Sequence, residues 1–201
     1  MNKTIATLPL LALLAACGGS NRPEVAAISA LPLEDINALA TSLTADYGDA
    51  FENGDYNGAG DLPTEGSADY AGVIGLGGTG LVTGDSDPIT VGQLSVAVDF
   101  ATNDIAGTAS DFYDTEDETQ NGGEMDLDAE IDRTTGEFSG TLVGAFVDLN
   151  GELPDVPVDV DITGGFAGNG AEAIIGSGTG TITFEDDRGT LGVGVVFGAE
   201  Q

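Results

Sequence analysis

The sequence predicts an all-β fold: an eight-stranded antiparallel up-and-down β-barrel preceded by a short N-terminal helical leader. Three observations carry that expectation. After residue 65, apolar residues recur at every second position, the period of a strand with one buried face. Turn-forming clusters such as "ATND" at 101, "DRTTG" at 132 and "EDDRG" at 185 separate these runs at short intervals. Many of the 32 glycines fall inside the runs, where they weaken a flat sheet but suit the bending that closes a small barrel.

The elements follow in order. Residues 1–16 read as an export signal: "MNK" is a short positive start, and "TIATLPLLALL" is an apolar stretch too short to span a bilayer. It ends in "LAAC" followed by "GGS", and Cys17 is the single cysteine of the chain. This resembles a bacterial lipoprotein signal, in which small residues admit the peptidase and the cysteine thiol is acylated. The resemblance implies lipidation at Cys17 and, with Gly18 next, sorting to the outer membrane. Several acyl chains on one residue anchor stably where one would be marginal. A mature chain beginning at Cys17 has no disulfide.

Residues 18–32 are small, polar and Pro-containing, and read as a tether. Leu33, Ile36, Leu39, Ala40, Leu43 and Tyr47 then recur at three- and four-residue intervals, with Glu34 and Asp35 in what would be a first helical turn. The stretch from Gly48 to Pro63, "GDAFENGDYNGAGDLP", reads as an acidic, turn-rich loop. Asp55, Asn57, Gly60 and Asp61 faintly match a calcium loop, but Ala59 breaks the ligand spacing and no bidentate Glu follows. No metal is expected there.

Strands are expected near 67–76, 93–101, 104–112, 124–132, 137–147, 158–167, 176–185 and 189–199. Tyr70, Gly72 and Ile74 begin the first inward face, and Leu94, Val96, Val98 and Phe100 form the second, opposite Ser95, Ala97 and Asp99. Met125, Leu127, Ala129 and Ile131 share a face, as do Phe138, Leu142 and Phe146. Val158, Val160, Ile162 and Phe166 make another, and Leu191, Val193, Val195 and Phe197 the last. The phrases "DIAGT" at 104 and "EFSGT" at 137 each follow a turn, so one strand-opening unit is used twice. The domain boundaries expected are 1–16 signal, 17–65 tether and helical leader, and 66–201 barrel, which should fold without its leader.

Composition then prunes the functions. The chain has 35 acidic and 4 basic residues, a formal net charge of -31. With no basic patch to displace counterions, nucleic acid is excluded as a partner. Histidine and tryptophan are absent, which removes His-dependent triads, His metal sites and imidazole acid–base chemistry. Carboxylate pairs such as Glu116/Glu118 and Asp186/Asp187 occur easily among 35 acids and are uninformative. A transmembrane barrel, which turns an apolar face to lipid and a polar face inward, is disfavoured by the lack of aromatic girdles, while the polar faces carry Asp99, Glu130, Asp132, Asp159 and Asp161.

The fragment "GGFAGNGAEAIIG" at 164–176 contains a G-x-G-x-x-A match to a dinucleotide-binding turn. Its context fails. That turn needs a parallel sheet and a long helix after the glycines, whereas "GSGTGTITF" resumes strand chemistry almost at once. "GLGGTGLVTGD" at 75–85 likewise lacks the Lys-Ser/Thr pair of a P-loop. No nucleotide or other cofactor is expected.

Instead, "GGFAGNGAEAIIGSGTGTITF" resembles the G-x-F-x-G-x-x-A-E-x-x-x-G segment of the barrel domain in transferrin-binding protein B-like surface lipoproteins. Gly164, Phe166, Gly168, Ala171, Glu172 and Gly176 occupy its positions. "SADYAGVIG", "LSVAVDFATNDIAGT" and the terminal "GVVFGAEQ" extend the match over residues 66–201. The resemblance implies a strand ending at Phe-x-Gly, a brief turn at Ala-Glu and a new strand at Gly176. Family members carry two lobes, each a handle joined to a barrel; a single barrel stands here, and the loops that engage transferrin have no counterpart. A shared fold therefore does not carry host-iron capture with it.

The functional expectation is a non-catalytic, lipid-anchored binding protein of the outer membrane and cell surface, with an unidentified ligand. The competing reading is a structural or protective envelope lipoprotein. The stretch 111–126 carries seven acids and no basic residue, so a protein partner should be basic. Glu172 is expected to stabilise a turn rather than bind a ligand.

Overall fold

A computed structural model describes residues 22–26, 29–78, 90–147, 155–183 and 190–201. Cys17, the export signal and Asp186/Asp187 lie outside the described residues. One helix, α1 (Leu33–Asn53), precedes eight strands: β1 (Ser67–Gly78), β2 (Thr90–Asp99), β3 (Asp104–Asp114), β4 (Gln120–Ile131), β5 (Phe138–Val147), β6 (Val156–Ala167), β7 (Ala173–Thr183) and β8 (Thr190–Glu200). Each strand pairs antiparallel with the next, and β8 returns to β1, giving a closed barrel in strict sequence order. The expected fold is observed.

An eight-stranded barrel is just wide enough for side chains to fill. The expected inward faces do so: Tyr70, Leu94, Val96, Met125, Leu127, Leu142, Val160, Phe166 and Val195 belong to one buried cluster, which Ile105 of β3 joins. Phe146 packs at its edge, and Leu191 departs from the expectation, being 51% exposed. On the outside stand Asp126, Asp128 and Glu130 of β4 and Asp159 and Asp161 of β6, all exposed. Carboxylates at mid-strand are incompatible with a lipid-facing wall.

The two ends differ. One end, here the turn end, carries the tight β2–β3, β4–β5 and β6–β7 connections and the C-terminus. Asp99 Oδ1 accepts the Ala101 and Thr102 N–H groups, and Asp132 Oδ1 accepts the Thr134 N–H, so both hairpins close on Asx turns. The Thr134 bonds hold the Asp132 carboxyl below its ordinary pKa. The opposite, loop end joins β1–β2, β3–β4, β5–β6 and β7–β8. There the acidic stretch 111–126, with strands expected only to about 112 and from about 124, is mostly strand. The strands continue to Asp114 and from Gln120, leaving a five-residue turn. Asp114 Oδ1 accepts two backbone N–H groups, and Asp117 accepts from Thr119, which lowers its pKa.

Three further boundaries move. β2 begins at Thr90 rather than near 93, and β7 begins at Ala173 rather than Gly176, because Ile174 is fully buried and continues the alternation backwards. The helix runs past Gly48 to Asn53. An interior glycine costs about 1 kcal/mol, but Phe51 beyond it packs toward the barrel. The real terminator is Gly54, whose φ of 67° supplies the left-handed cap and whose N–H reaches Ala50 O.

The leader is the largest departure from expectation. Residues 22–26 and 29–32 are not a free tether but lie against the outer wall of β2–β4. Arg22 pairs with Asp128, Ser95 Oγ donates to Ala26 O at 2.8 Å, and Tyr113 Oη donates to Leu31 O at 3.2 Å. The Gln93 carboxamide donates to Ser29 O at 3.1 Å and accepts the Leu31 N–H. Consequently Val91, Gln93, Ser95 and Ala97, on the outward face of β2, are all buried. The chain runs from the turn end up to the loop end, and α1 then descends the wall formed by β1, β8 and β7.

Candidate functional site

The motif segment 164–176 forms the β6–β7 hairpin at the turn end. Phe166 is fully buried and lies amid the rings of Phe100, Phe138 and Tyr70, at centroid distances of 5.7, 6.0 and 6.4 Å. Its neighbours in the motif make room for such rings. A Cβ on Gly164 would sit 2.5 Å from Phe138 Cζ, its cross-strand partner, and one on Gly176 would sit 2.4 Å from Phe197 Cζ. Glycine opposite an aromatic ring across two strands is thus a packing device.

The turn itself is built from left-handed residues, Gly168 at φ 78°, Gly170 at 70° and Ala171 at 70°. Ala171 is fully buried, and its carbonyl accepts Tyr70 Oη at 2.8 Å and Gln201 Nε2 at 2.9 Å. Glu172 is exposed, its side chain lying over Gly168 and its carbonyl accepting the Gln201 N–H at 3.1 Å. Each of the six motif residues thus has a contact within the hairpin or the core.

The segment following α1, expected to be a solvated loop, seals this end. Asn57 N–H donates to Phe166 O at 2.7 Å and its Nδ2 to Gly168 O at 2.8 Å. Tyr56 lies on Gly165, and Leu62 enters the core. Arg133 ties the seal to the hairpins by donating to Asn103 Oδ1, Pro63 O and Phe100 O. Asn57 is therefore occupied by backbone contacts, and among the described residues no three His, Cys, Asp or Glu side chains converge.

A smaller concavity of about 380 Å³ lies beside this end, between Tyr56, Glu137 and Ser177, and a more apolar one lies between α1 and the outer wall. It has a volume of about 500 Å³ and extends from Ile36 and Ala40 near one end of the helix to Tyr47 and Phe51 near the other. Val73, Gly75, Ile175, Val196 and Gly198 form its floor, the outward positions of β1, β7 and β8. Small floor residues leave room beneath the helix: a Cβ on Gly198 would meet nothing closer than 3.7 Å. Cavities of this size with mostly apolar walls and few polar groups are the usual form of a small-molecule site. The helix pattern and strand periods were legible in the sequence, but the groove was not, because it arises where two faces meet.

The polar groups of the groove gather at the turn end. Tyr47 has its pKa raised, first by desolvation and then by the carboxylates of Glu200, Glu172 and Asp46. Glu200 is the outward residue of β8 beyond Gly198 and pairs with Ala173, itself in the lining. Glu52 lines the same end. The two basic residues among those described, Arg22 and Arg133, are engaged elsewhere.

No family model matches the chain, and no curated protein matches it. Solved structures are similar to it, two of them as follows. A mutant form of the vaccine antigen Transferrin Binding Protein B (TbpB) from Haemophilus parasuis Hp5 matches with 22% identity and a TM-score of 0.44, over 73% of this chain and 28% of that one. The isotype 1 TbpB from serogroup B Neisseria meningitidis matches with 20% identity and a TM-score of 0.45, over 72% and 28%. This chain therefore spans 28% of the length of either of those structures.

Proposed function

We propose that this is a non-catalytic binding protein of the bacterial outer membrane, anchored through an acylated Cys17 and using no cofactor. The groove between α1 and the barrel carries this reading. It is preformed and apolar, and lies on a wall whose neighbouring outer faces are carboxylate-bearing or covered. Its ionisable lining residues are Tyr47 and Glu52, and the chain has no histidine to serve as a base beside them. The anchor rests on the sequence pattern at Cys17. Mass spectrometry of the mature N-terminus should find an acylated peptide beginning at Cys17. Cys17→Ser should release the protein from membranes, and a variant that still partitions wholly with them would remove the anchor.

A protein partner, if captured by the loop end, should be basic. Glu116, Asp117 and Glu118 stand exposed on the β3–β4 turn, and their field would speed association at low salt. Changing these three to Gln, Asn and Gln should slow association without altering the fold. An unchanged on-rate at every ionic strength would separate the turn from any such contact.

A further inference from the structure

We propose that the α1–barrel groove takes an amphipathic cation, a single alkyl tail with an ammonium-type head, the tail lying under the helix and the head at the turn end. This rests on the reading of the groove as a binding site and adds the chemistry of the ligand. The tail's place follows from the lining: Ala40, Leu43, Val73, Ile175 and Val196 offer no hydrogen-bonding side chain. Between Ile36 and Phe51 the helix advances about 22 Å, at ~1.5 Å per residue, long enough for an extended chain. An apolar molecule without a head group would leave the mouth unexplained.

The head's place follows from charge complementarity. Glu52 lines the groove, Glu200 pairs with the lining residue Ala173, and Glu172 immediately precedes Ala173 in the chain, so that, after desolvation, Glu200 and Glu172 help to raise the Tyr47 pKa. Neither described arginine neutralises them, since Arg22 is held by Asp128 on β4 and Arg133 by backbone carbonyls at the barrel seal. An ammonium head there would find carboxylates and the electron-rich face of the Tyr47 ring together. A sulfate or carboxylate head would meet repulsion at the same place.

The test uses dodecyltrimethylammonium, dodecyl sulfate and dodecyl maltoside below their micellar concentrations, in moderate salt, with the protein from Gly18 onward. Calorimetry should give saturable one-to-one binding of the cation, about tenfold tighter than the maltoside, with the sulfate weaker still. Backbone chemical-shift changes should fall on α1, β1, β7 and β8. Glu172→Gln with Glu200→Gln should bring the cation down to the maltoside's affinity. Ala40→Trp should abolish binding of both, with Thr44→Trp, on an exposed lining residue, as the gentler block if the first fails to fold.

Three results would overturn the inference. Equal affinity for cation and maltoside in the parent protein would leave an apolar groove and remove its charge preference, while the binding reading stands. Cation binding that survives both tryptophan variants would be attraction to the acidic surface at large. No saturable binding of any of the three would remove the groove as a site for tailed molecules altogether.

Discussion

Gly176 tests whether the glycines of the β6–β7 hairpin serve packing or backbone freedom. Its φ is not positive, so an L-residue is sterically acceptable to its backbone. The obstacle is the Phe197 ring, 2.4 Å from a Cβ at Cζ and 2.8 Å at Cε1, with Thr163 O also at 2.8 Å. Gly176→Ala should therefore cost about 2 kcal/mol, as overpacking in a close-fitting core does. Phe197→Ala removes a ring that is only 5% exposed and should cost roughly 4 kcal/mol through the cavity it leaves. In the double variant the new methyl group occupies space the ring vacated. Its total cost should fall short of the sum by about 1–2 kcal/mol, the sign expected for a relieved clash. Urea unfolding of the chain from Gly18 onward, followed by circular dichroism, yields all three values. Strict additivity, or Gly176→Ala with no cost, would refute the packing argument.

Other expected outcomes are quickly stated. Val96→Asp buries an unpaired charge in the core and should cost several kcal/mol, whereas Val143→Lys, at a position 46% exposed and opposite Asp126 and Asp159 on the neighbouring strands, should cost no more than about 0.5 kcal/mol; reversed effects would mean the faces were assigned inside out. Tyr70, pushed up to about 12 by burial against a partly offsetting bond from Gln201, ionises later than it would unfolded. Its stabilising contribution is full below pH 10, the ordinary tyrosine value, and is lost as pH rises toward 12; Tyr70→Phe should flatten that part of the unfolding-versus-pH curve. Arg133→Leu leaves Pro63 O and Phe100 O without a donor and should lower stability by roughly 2–3 kcal/mol in thermal melts. The fragment 66–201 should remain β-rich by circular dichroism yet melt earlier than the longer chain, because Val91, Gln93 and Ala97 lose their cover.

What was readable in the sequence was whatever one strand or helix declares alone. Alternation in "QLSVAVDFA" or "EMDLDAEI" identifies a strand and its inward face without reference to neighbours, and eight such runs with short turns leave few architectures. The β6–β7 hairpin was placed by its glycines, although their purpose depends on Phe138 and Phe197, which approach from adjacent strands. The leader was misread because its grip is made by backbone carbonyls at Ala26, Ser29 and Leu31, which carry no residue-specific signal. One hint was present: Val91, Ala97 and the small Ser95 make β2 nearly apolar on both faces, the mark of a strand covered twice. The seal at Tyr56–Leu62 was hidden for a related reason, since acidic turn residues dominate its composition while Tyr56, Asn57 and Leu62 do the closing.

The docked leader fixes how the barrel stands on a bilayer. With Cys17 acylated as proposed, five residues separate the lipid from Arg22, which is held to Asp128 three positions before β4 ends. Fully stretched, five residues reach about 18 Å, less than an unconstrained tether running the sixteen residues to the helix at Leu33 would allow. Such a leash holds the turn end toward the headgroups and points the loop end, with its β3–β4 carboxylates, into the surroundings. It also leans the β3–β4 wall toward the membrane and turns the helix-covered wall away from it. Both partners of the Arg22 pair are about half exposed, at 47% and 55%, so salt weakens the grip. When it opens, the next fixed point is Ala26, and the leash grows from five residues to nine. The height and tilt of the barrel above its membrane thereby become functions of ionic strength.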